Sequence, residues 1–297
     1  MIDRREHPCS LVVGASGQVG KQIIRAAGMD HCIPTSRNPP SPEWLELDLA
    51  SIDREAAMKL LEPLDLDAIY CVGGMTNVEL CEVEKDLAIQ ANCSGPKVLA
   101  ELANERHIPF VYFSTEYIFD GVNGPYDEES VVNPLSCYGL SKWRGEQAVL
   151  KAFPEALIVR TTVVYGQDDN EKNFLYSLKR RLMAGANSRV PEDQVSTPTY
   201  NSDLAKATLS LVKTRASGVF HVCGPEILSR LQFARHAAQF WGFDTDLVSG
   251  VPTSSLGQKA PRPLRAGLLI NKLQNIYPEI RMRNLTESLL DWGKQGG

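Results

Sequence analysis

The sequence predicts an α/β protein built on a doubly wound parallel sheet, with a smaller C-terminal portion interleaved with it. Three observations carry that expectation. Short apolar, β-branched runs alternate with helical patterns over the first two thirds of the chain, a glycine-rich turn joins the first run to the first helix, and the alternation weakens after Gly166. A length of 297 residues fits one large or two modest domains. With 43% hydrophobic and 23% charged residues, the composition is that of a globular chain able to fill a core.

Taken in order, strands are expected at 10–13, 32–35, 68–72, 110–113 and 157–164, and helices near 18–28, 51–62, 80–106 and 136–152. The long pattern from Leu80 to Arg106 contains Gly95-Pro96, so it reads as a kinked helix or as two helices joined there. Proline and glycine become frequent over 185–200 and 250–267, which predicts loops and short elements capping the sheet. Between them, 202–213 reads as a helix and 219–222 as a strand that rejoins the main sheet. The first domain is therefore expected over 1–165, rejoined by about 200–223, with 166–199 and 224–297 forming the smaller portion. Neither an internal repeat nor a low-complexity segment is present.

Charge and composition exclude several function classes. Lys plus Arg (31) against Asp plus Glu (36) leaves a net charge of -5, with no basic surplus to drive binding to nucleic acid or an anionic membrane. The seven cysteines are scattered without a C-x-x-C pair and read as reduced thiols, and no two of the five histidines stand at the i, i+4 spacing of a helical metal site. No metal is expected. No apolar run approaches the ~18 residues of a membrane span, and the charged start leads into a glycine loop rather than a cleavage site. The expected location is the cytoplasm.

The glycine turn carries the first chemistry. Leu11-Val12-Val13 runs into Gly14-Ala15-Ser16-Gly17-Gln18-Val19-Gly20, and a helical pattern follows. Glycines permit a sharp turn, let the backbone approach a pyrophosphate and clear the helix–strand contact, while the helix N-terminus favours an anion. A turn serving structure alone also needs glycines, but the place of this one on the first β-α unit points to a Rossmann dinucleotide site. The second strand ends in Ser36-Arg37, where an acid would grip the ribose 2′-hydroxyl of NAD. Arg37 suits the 2′-phosphate instead, so NADPH is the expected cofactor. Asp48 follows a plausible short strand and either accepts a hydrogen bond from adenine or caps the helix starting near Ile52.

Tyr138 and Lys142 stand at i and i+4, so on a helix they share one face. A neighbouring cation favours phenolate and lowers a tyrosine pKa, which suits a phenol to giving its proton to a carbonyl under reduction. The fourth strand ends in Ser114-Thr115, and a hydroxyl there can bond the same oxygen or cap the following turn; Thr115 is the better candidate and Ser114 the reserve.

With Ser-Thr-Glu-Tyr-Ile-Phe-Asp-Gly at 114–121, Tyr-Gly-Leu-Ser-Lys-Trp-Arg-Gly-Glu at 138–146, Val159-Arg160-Thr161, Tyr165-Gly166, Pro198-Thr199 and Arg262-Pro263, the chain resembles the extended short-chain dehydrogenase/reductases. Over almost its whole length it is most similar to their dTDP-4-dehydrorhamnose reductase group. That resemblance implies Thr115, Tyr138 and Lys142 as a catalytic triad, with Lys142 also holding the nicotinamide ribose. It implies Gly73 and Gly74 beside the cofactor, a nucleotide-sugar pocket after Gly166 with Glu116, Val163 and Arg262 on the sugar side, and a homodimer as the compatible assembly. Val78-Glu79-Leu80-Cys81-Glu82 and Asn92 also follow the group's pattern. Four positions depart from it: Glu116 replaces an Asp, Val163 a frequent Trp, Ala266 a Ser, and Gln22 a Glu that in some members joins a metal site at a dimer interface. The implied function is NADPH-dependent reduction of a nucleotide-activated 4-keto-6-deoxy sugar. Two alternatives remain: a non-catalytic NADP-binding subunit like the regulatory β subunit of methionine adenosyltransferase, and a reductase or epimerase of another nucleotide sugar.

Overall fold

A computed structural model describes residues 9–295; the charged opening segment, with His7, lies outside the described residues. The first half runs β1 (Cys9–Val13), α1 (Gln18–Ala27), β2 (Cys32–Ser36), β3 (Leu45–Glu46), α2 (Arg54–Leu61), β4 (Leu66–Cys71), α3 (Val78–Val83), α4 (Lys85–Ile89), a π turn (Gln90–Ser94), α5 (Gly95–Glu105), β5 (Phe110–Thr115) and α6 (Cys137–Ala152). The second runs β6 (Leu157–Thr161), β7 (Val164–Tyr165), α7 (Phe174–Met183), β8 (Ser188–Pro191), β9 (Val195–Ser196), β10 (Thr199–Tyr200), α8 (Asn201–Lys213), β11 (Gly218–His221), β12 (Leu228–Ser229), α9 (Arg230–Phe240), β13 (Val248–Val251), α10 (Asn271–Ile276) and α11 (Leu285–Lys294).

Seven strands form one parallel sheet in the order β11-β6-β5-β4-β1-β2-β3. The winding reverses between β1 and β4, so the crevice beyond their C-terminal ends is the place for a ligand. The two faces bury alternate residues of the same strands. On one side Val12, Tyr70, Val111 and Val159 pack with α1, α8 and α10; on the other Leu11, Ile69, Tyr112 and Ile158 pack with α2, α5 and α6. Burial on both sides explains why the strands read as continuous apolar runs. A third cluster around Tyr165, Leu178, Phe233, Leu289 and Trp292 fills the smaller portion between α7, α9 and α11.

Three expectations need correction. The 80–106 pattern is joined at Gly95-Pro96, as expected, where α5 opens directly after the π turn, but it is also broken earlier, at Glu84, so it holds three α-helices rather than two. Pro96 sits in the first helical turn, where its missing N–H costs nothing, and a Cβ on Gly95 would stand 2.1 Å from the Leu49 carbonyl oxygen. The strand expected over 157–164 stops at Thr161, because Val163 adopts a φ of +41°, and the chain restarts as β7 paired with β10. The region after Gly166 holds more regular structure than its weakened periodicity suggests, including α7, α9 and α11.

Candidate active site

The glycine turn comes first in the crevice. Gly14 has a φ of +83°, and a Cβ on it would lie 2.5 Å from the Gly73 Cα; a Cβ on Gly20 would lie 2.6 Å from the Gly14 oxygen. Both positions exclude any side chain. At Gly17, the N-cap of α1, a Cβ would meet the Gly14 oxygen at 3.4 Å, so packing scarcely forbids one. What a side chain there would occupy is the space over the free amides of α1, and that is where a pyrophosphate needs bare backbone. The residues present therefore fit a dinucleotide.

Around this cradle, Ser16 is exposed and its hydroxyl accepts from Ser36 Oγ at 3.4 Å; Arg37 follows the end of β2 and is exposed. Gln18 is turned sideways, donating to the Val164 carbonyl at 3.3 Å, while Val19 packs into the core. Asp48 does not cap a helix. Its Oδ1 accepts from the Ala50 amide, and the cap of α2 is Asp53, whose carboxylate accepts from the Ala56 amide at 2.8 Å. Asp48 is half-buried and follows β3 with one residue between them. Gly73 and Gly74 follow β4 directly.

The strand ends beyond β4 and β5 hold the polar constellation. The π turn presents Asn92, whose amide accepts from the Met75 N–H at 2.8 Å and donates to the Met75 carbonyl and Ser141 Oγ, both at 2.9 Å. Ser141 Oγ in turn donates to the Tyr138 carbonyl at 2.8 Å, tying the π turn to the first turn of α6. Glycines let α6 lie that close. A Cβ on Gly139 would stand 2.1 Å from the Tyr117 oxygen, and one on Gly145 would stand 2.1 Å from the Asn92 oxygen.

Tyr138 is half-buried, with its ring edge-on to Tyr117 at a centroid distance of 5.4 Å. Burial pushes its phenol above the ordinary tyrosine range, and the Thr115 hydroxyl pulls it partly back. The lowering expected from Lys142 is not found: desolvation sets the direction of the shift, with Thr115 as the group that opposes it, and the phenol stays protonated. Lys142 is buried with its ammonium 4.0 Å from the Tyr112 ring centroid, and burial brings it down to about 8. Thr115 Oγ1 accepts from the Tyr117 amide at 3.3 Å, so it caps the following turn as well as facing Tyr138. Ser114 Oγ is buried with no hydrogen-bond partner.

On the far side of the crevice, Glu116 is 6% exposed and its Oε2 has no partner; burial raises the carboxyl to about 8, opposed by the Thr162 hydroxyl and the charge of Arg230. Arg230, the first residue of α9, lies with its guanidinium 4.9 Å from the Phe174 ring centroid. Arg262 pairs with Glu79 at 2.7 Å and donates to the Tyr117 hydroxyl at 3.4 Å, while its Nε is buried without a partner. The other motif charges serve the fold. Arg160 and Glu146 form a buried ion pair at 2.8 Å beneath α6.

The family described as RmlD substrate binding domain matches residues 10–292. The chain belongs to this family. Among RmlD-family relatives, a dTDP-4-dehydrorhamnose reductase of Mycobacterium tuberculosis is 34% identical over 262 residues, 85% of this chain and 82% of the relative. A probable low-salt glycan biosynthesis reductase, Agl14, of Haloferax volcanii is 30% identical over 89% of this chain and 91% of its own length. A Bacillus anthracis dTDP-4-dehydrorhamnose reductase solved with NADP superposes with a TM-score of 0.88 at 26% identity, covering 97% of this chain and 99% of that one.

Set within the RmlD family, the four departures fall into different places. Glu116 and Val163 stand at the crevice, Val163 half-buried against the third core cluster. Ala266 does not: it is 1% exposed, with its amide donating to the Val195 carbonyl, so a lost hydroxyl there removes nothing from the cleft. Gln22 is 4% exposed and donates to the Gln167 carbonyl at 3.3 Å. No group of three or more His, Cys, Asp or Glu is placed to hold a metal ion among the described residues. Two site residues had no sequence signal of their own. Arg230 opens a segment without visible helix periodicity, although the Ser229-x-x-Gln232 capping box marks its start. Tyr117 stands inside the Ser-Thr-Glu-Tyr-Ile-Phe-Asp-Gly run at 114–121, with no spacing to Tyr138 or Arg262 that foretells their contact.

Proposed function

We propose that this RmlD-family chain is an NADPH-dependent reductase of a nucleotide-activated 4-keto-6-deoxy sugar. The observation that carries the reading is the meeting of Thr115, Tyr138 and Lys142 at the strand ends beside the bare backbone of the glycine turn. When bound, the cofactor supplies the hydride. Gly14, Ser16, Gly17, Gln18, Val19 and Gly20 cradle its pyrophosphate, Ser36 and Arg37 its 2′-phosphate, Asp48 its adenine, and Gly73 and Gly74 its middle. Tyr138, protonated and edge-on to Tyr117, donates its proton to the sugar carbonyl oxygen. Thr115 holds that oxygen, and the Lys142 ammonium stabilises the phenolate left behind while gripping the nicotinamide ribose. Segments 166–199 and 224–297 form the substrate-binding portion, with Glu116, Val163 and Arg262 facing the nucleotide sugar.

Altered sugar-side residues beside an ordinary cofactor side support a keto-sugar other than the rhamnose precursor, or one held less tightly. NADPH oxidation across a panel of nucleotide 4-keto-6-deoxy sugars tests the reading. Turnover of at least one is expected. NADPH binding with the whole panel inert and a methionine adenosyltransferase subunit co-purifying overturns it in favour of a regulatory subunit.

A further inference from the structure

We infer that Glu79 is a latch that holds the 258–262 segment closed over the site and orients the Arg262 guanidinium toward the substrate. The inference rests on the reductase reading above. Glu79 lies in the first turn of α3, which leaves the sheet just after β4. The segment it meets lies 180 residues further on, beyond β13 in the smaller portion. One carboxylate takes three donors from it: Oε2 accepts from the Lys259 amide at 3.0 Å and the Ala260 amide at 3.1 Å, and Oε1 accepts from Arg262 at 2.7 Å.

The segment is anchored separately at each end. At one end Gln258 accepts from Gln194 at 3.2 Å, and at the other the Arg265 amide donates to the Gly121 carbonyl at 3.0 Å. Between those anchorages it reaches the sheet half through Glu79 and, by way of Arg262, through Tyr117. The guanidinium is thereby fixed on two nitrogens, one on Glu79 and one on the Tyr117 hydroxyl, while buried Nε keeps an unused donor. Its carbon stands 5.7 Å from the Tyr117 ring, which in turn packs edge-on to Tyr138 at 5.4 Å. Closure of the segment and placement of the proton donor are thus linked through two side chains. A charged acceptor is required for this, since two backbone amides and a guanidinium converge where a neutral amide offers a single, weaker oxygen.

Glu79 touches neither reacting atom and is a positioning residue, so its test separates binding from chemistry. Glu79→Ala is expected to raise the KM for the sugar by about fivefold or more, the worth of a partly exposed charge-assisted contact. The KM for NADPH should stay within about twofold. Glu79→Gln, still able to accept from the amides, should recover part of the loss. Glu79→Ala added to Arg262→Ala should cost little beyond Arg262→Ala alone, because one acts through the other. Additive losses, or an unchanged sugar KM in Glu79→Ala, overturn the latch. If the wild-type protein turns over no sugar, the reductase reading fails first, and tryptic cleavage after Lys259 in the intact NADPH-bound protein reads the latch alone. Faster cleavage in Glu79→Ala upholds it, and an unchanged rate overturns it.

Discussion

At Tyr138 the chemistry is set by what surrounds the ring more than by its neighbour on the helix. The i, i+4 lysine was legible in the sequence; the desolvation by Tyr117 and the close-packed strand ends was not, because it comes from residues brought together only by the sheet. Tyr138→Phe should abolish turnover and leave NADPH binding nearly intact, a loss of ~10²–10⁴ in rate, measured by steady-state kinetics beside cofactor titration. Lys142 loses its charge as pH rises through about 8. NADPH affinity should therefore weaken above that pH, and the dependence should vanish in Lys142→Met. Glu116 has the opposite consequence for stability. Its folded carboxyl titrates at about 8 and its unfolded one at the ordinary value of 4.5, so between those values the unfolded chain releases the proton first and stability falls as pH rises. Glu116→Gln should be near neutral for stability below pH 4.5 and stabilising by a few kcal/mol above pH 8, checked by denaturation at both ends of the window. Arg37 carries the remaining expectation at this scale: NADPH bound more tightly than NADH, with Arg37→Asp erasing the preference.

Among the elements, α1 and α6 were legible because each joins a local signal to a tight fit. The glycine turn opens α1, and Ser136 caps α6 by accepting from the Gly139 amide at 3.2 Å. The spacing of Gly139 and Gly145 belongs to the same fit, so Gly145→Ala should push α6 off Asn92 and Tyr112 and cost about 1–3 kcal/mol with loss of activity. The second half was less legible for a physical reason. Helices α9 and α11 are only about three turns long, pack directly on one another, and each bury a stripe interrupted by small or polar residues (Ala234, Ala237 and Ala238; Ser288), so the apolar periodicity is short. Their starts were still written in the chain: Ser229 with Gln232 and Asn284 with Glu287 form capping boxes. The same blindness applies at Val163, where a β-branched residue at positive φ ends β6 against every local preference.

For the molecule as a whole, the crossing of the chain between its two parts governs how it comes apart. The helix α8 packs on α1, and β11 completes the sheet beside β6, so 200–223 is part of the first core although it lies between two stretches of the smaller one. A protein ending at residue 165 would leave β6 as a bare edge and uncover the face that Leu204, Leu211 and Phe220 fill. Such a truncation should fail to fold, and the intact chain should melt in one transition, by calorimetry. The same interleaving limits how specificity can be transplanted. A chimera that borrows another member's 166–199 and 224–297 segments needs two grafts, one on each side of α8 and β11, joined at three seams; a single cut-and-paste would also replace the helix lying on α1 and the strand that closes one edge of the sheet.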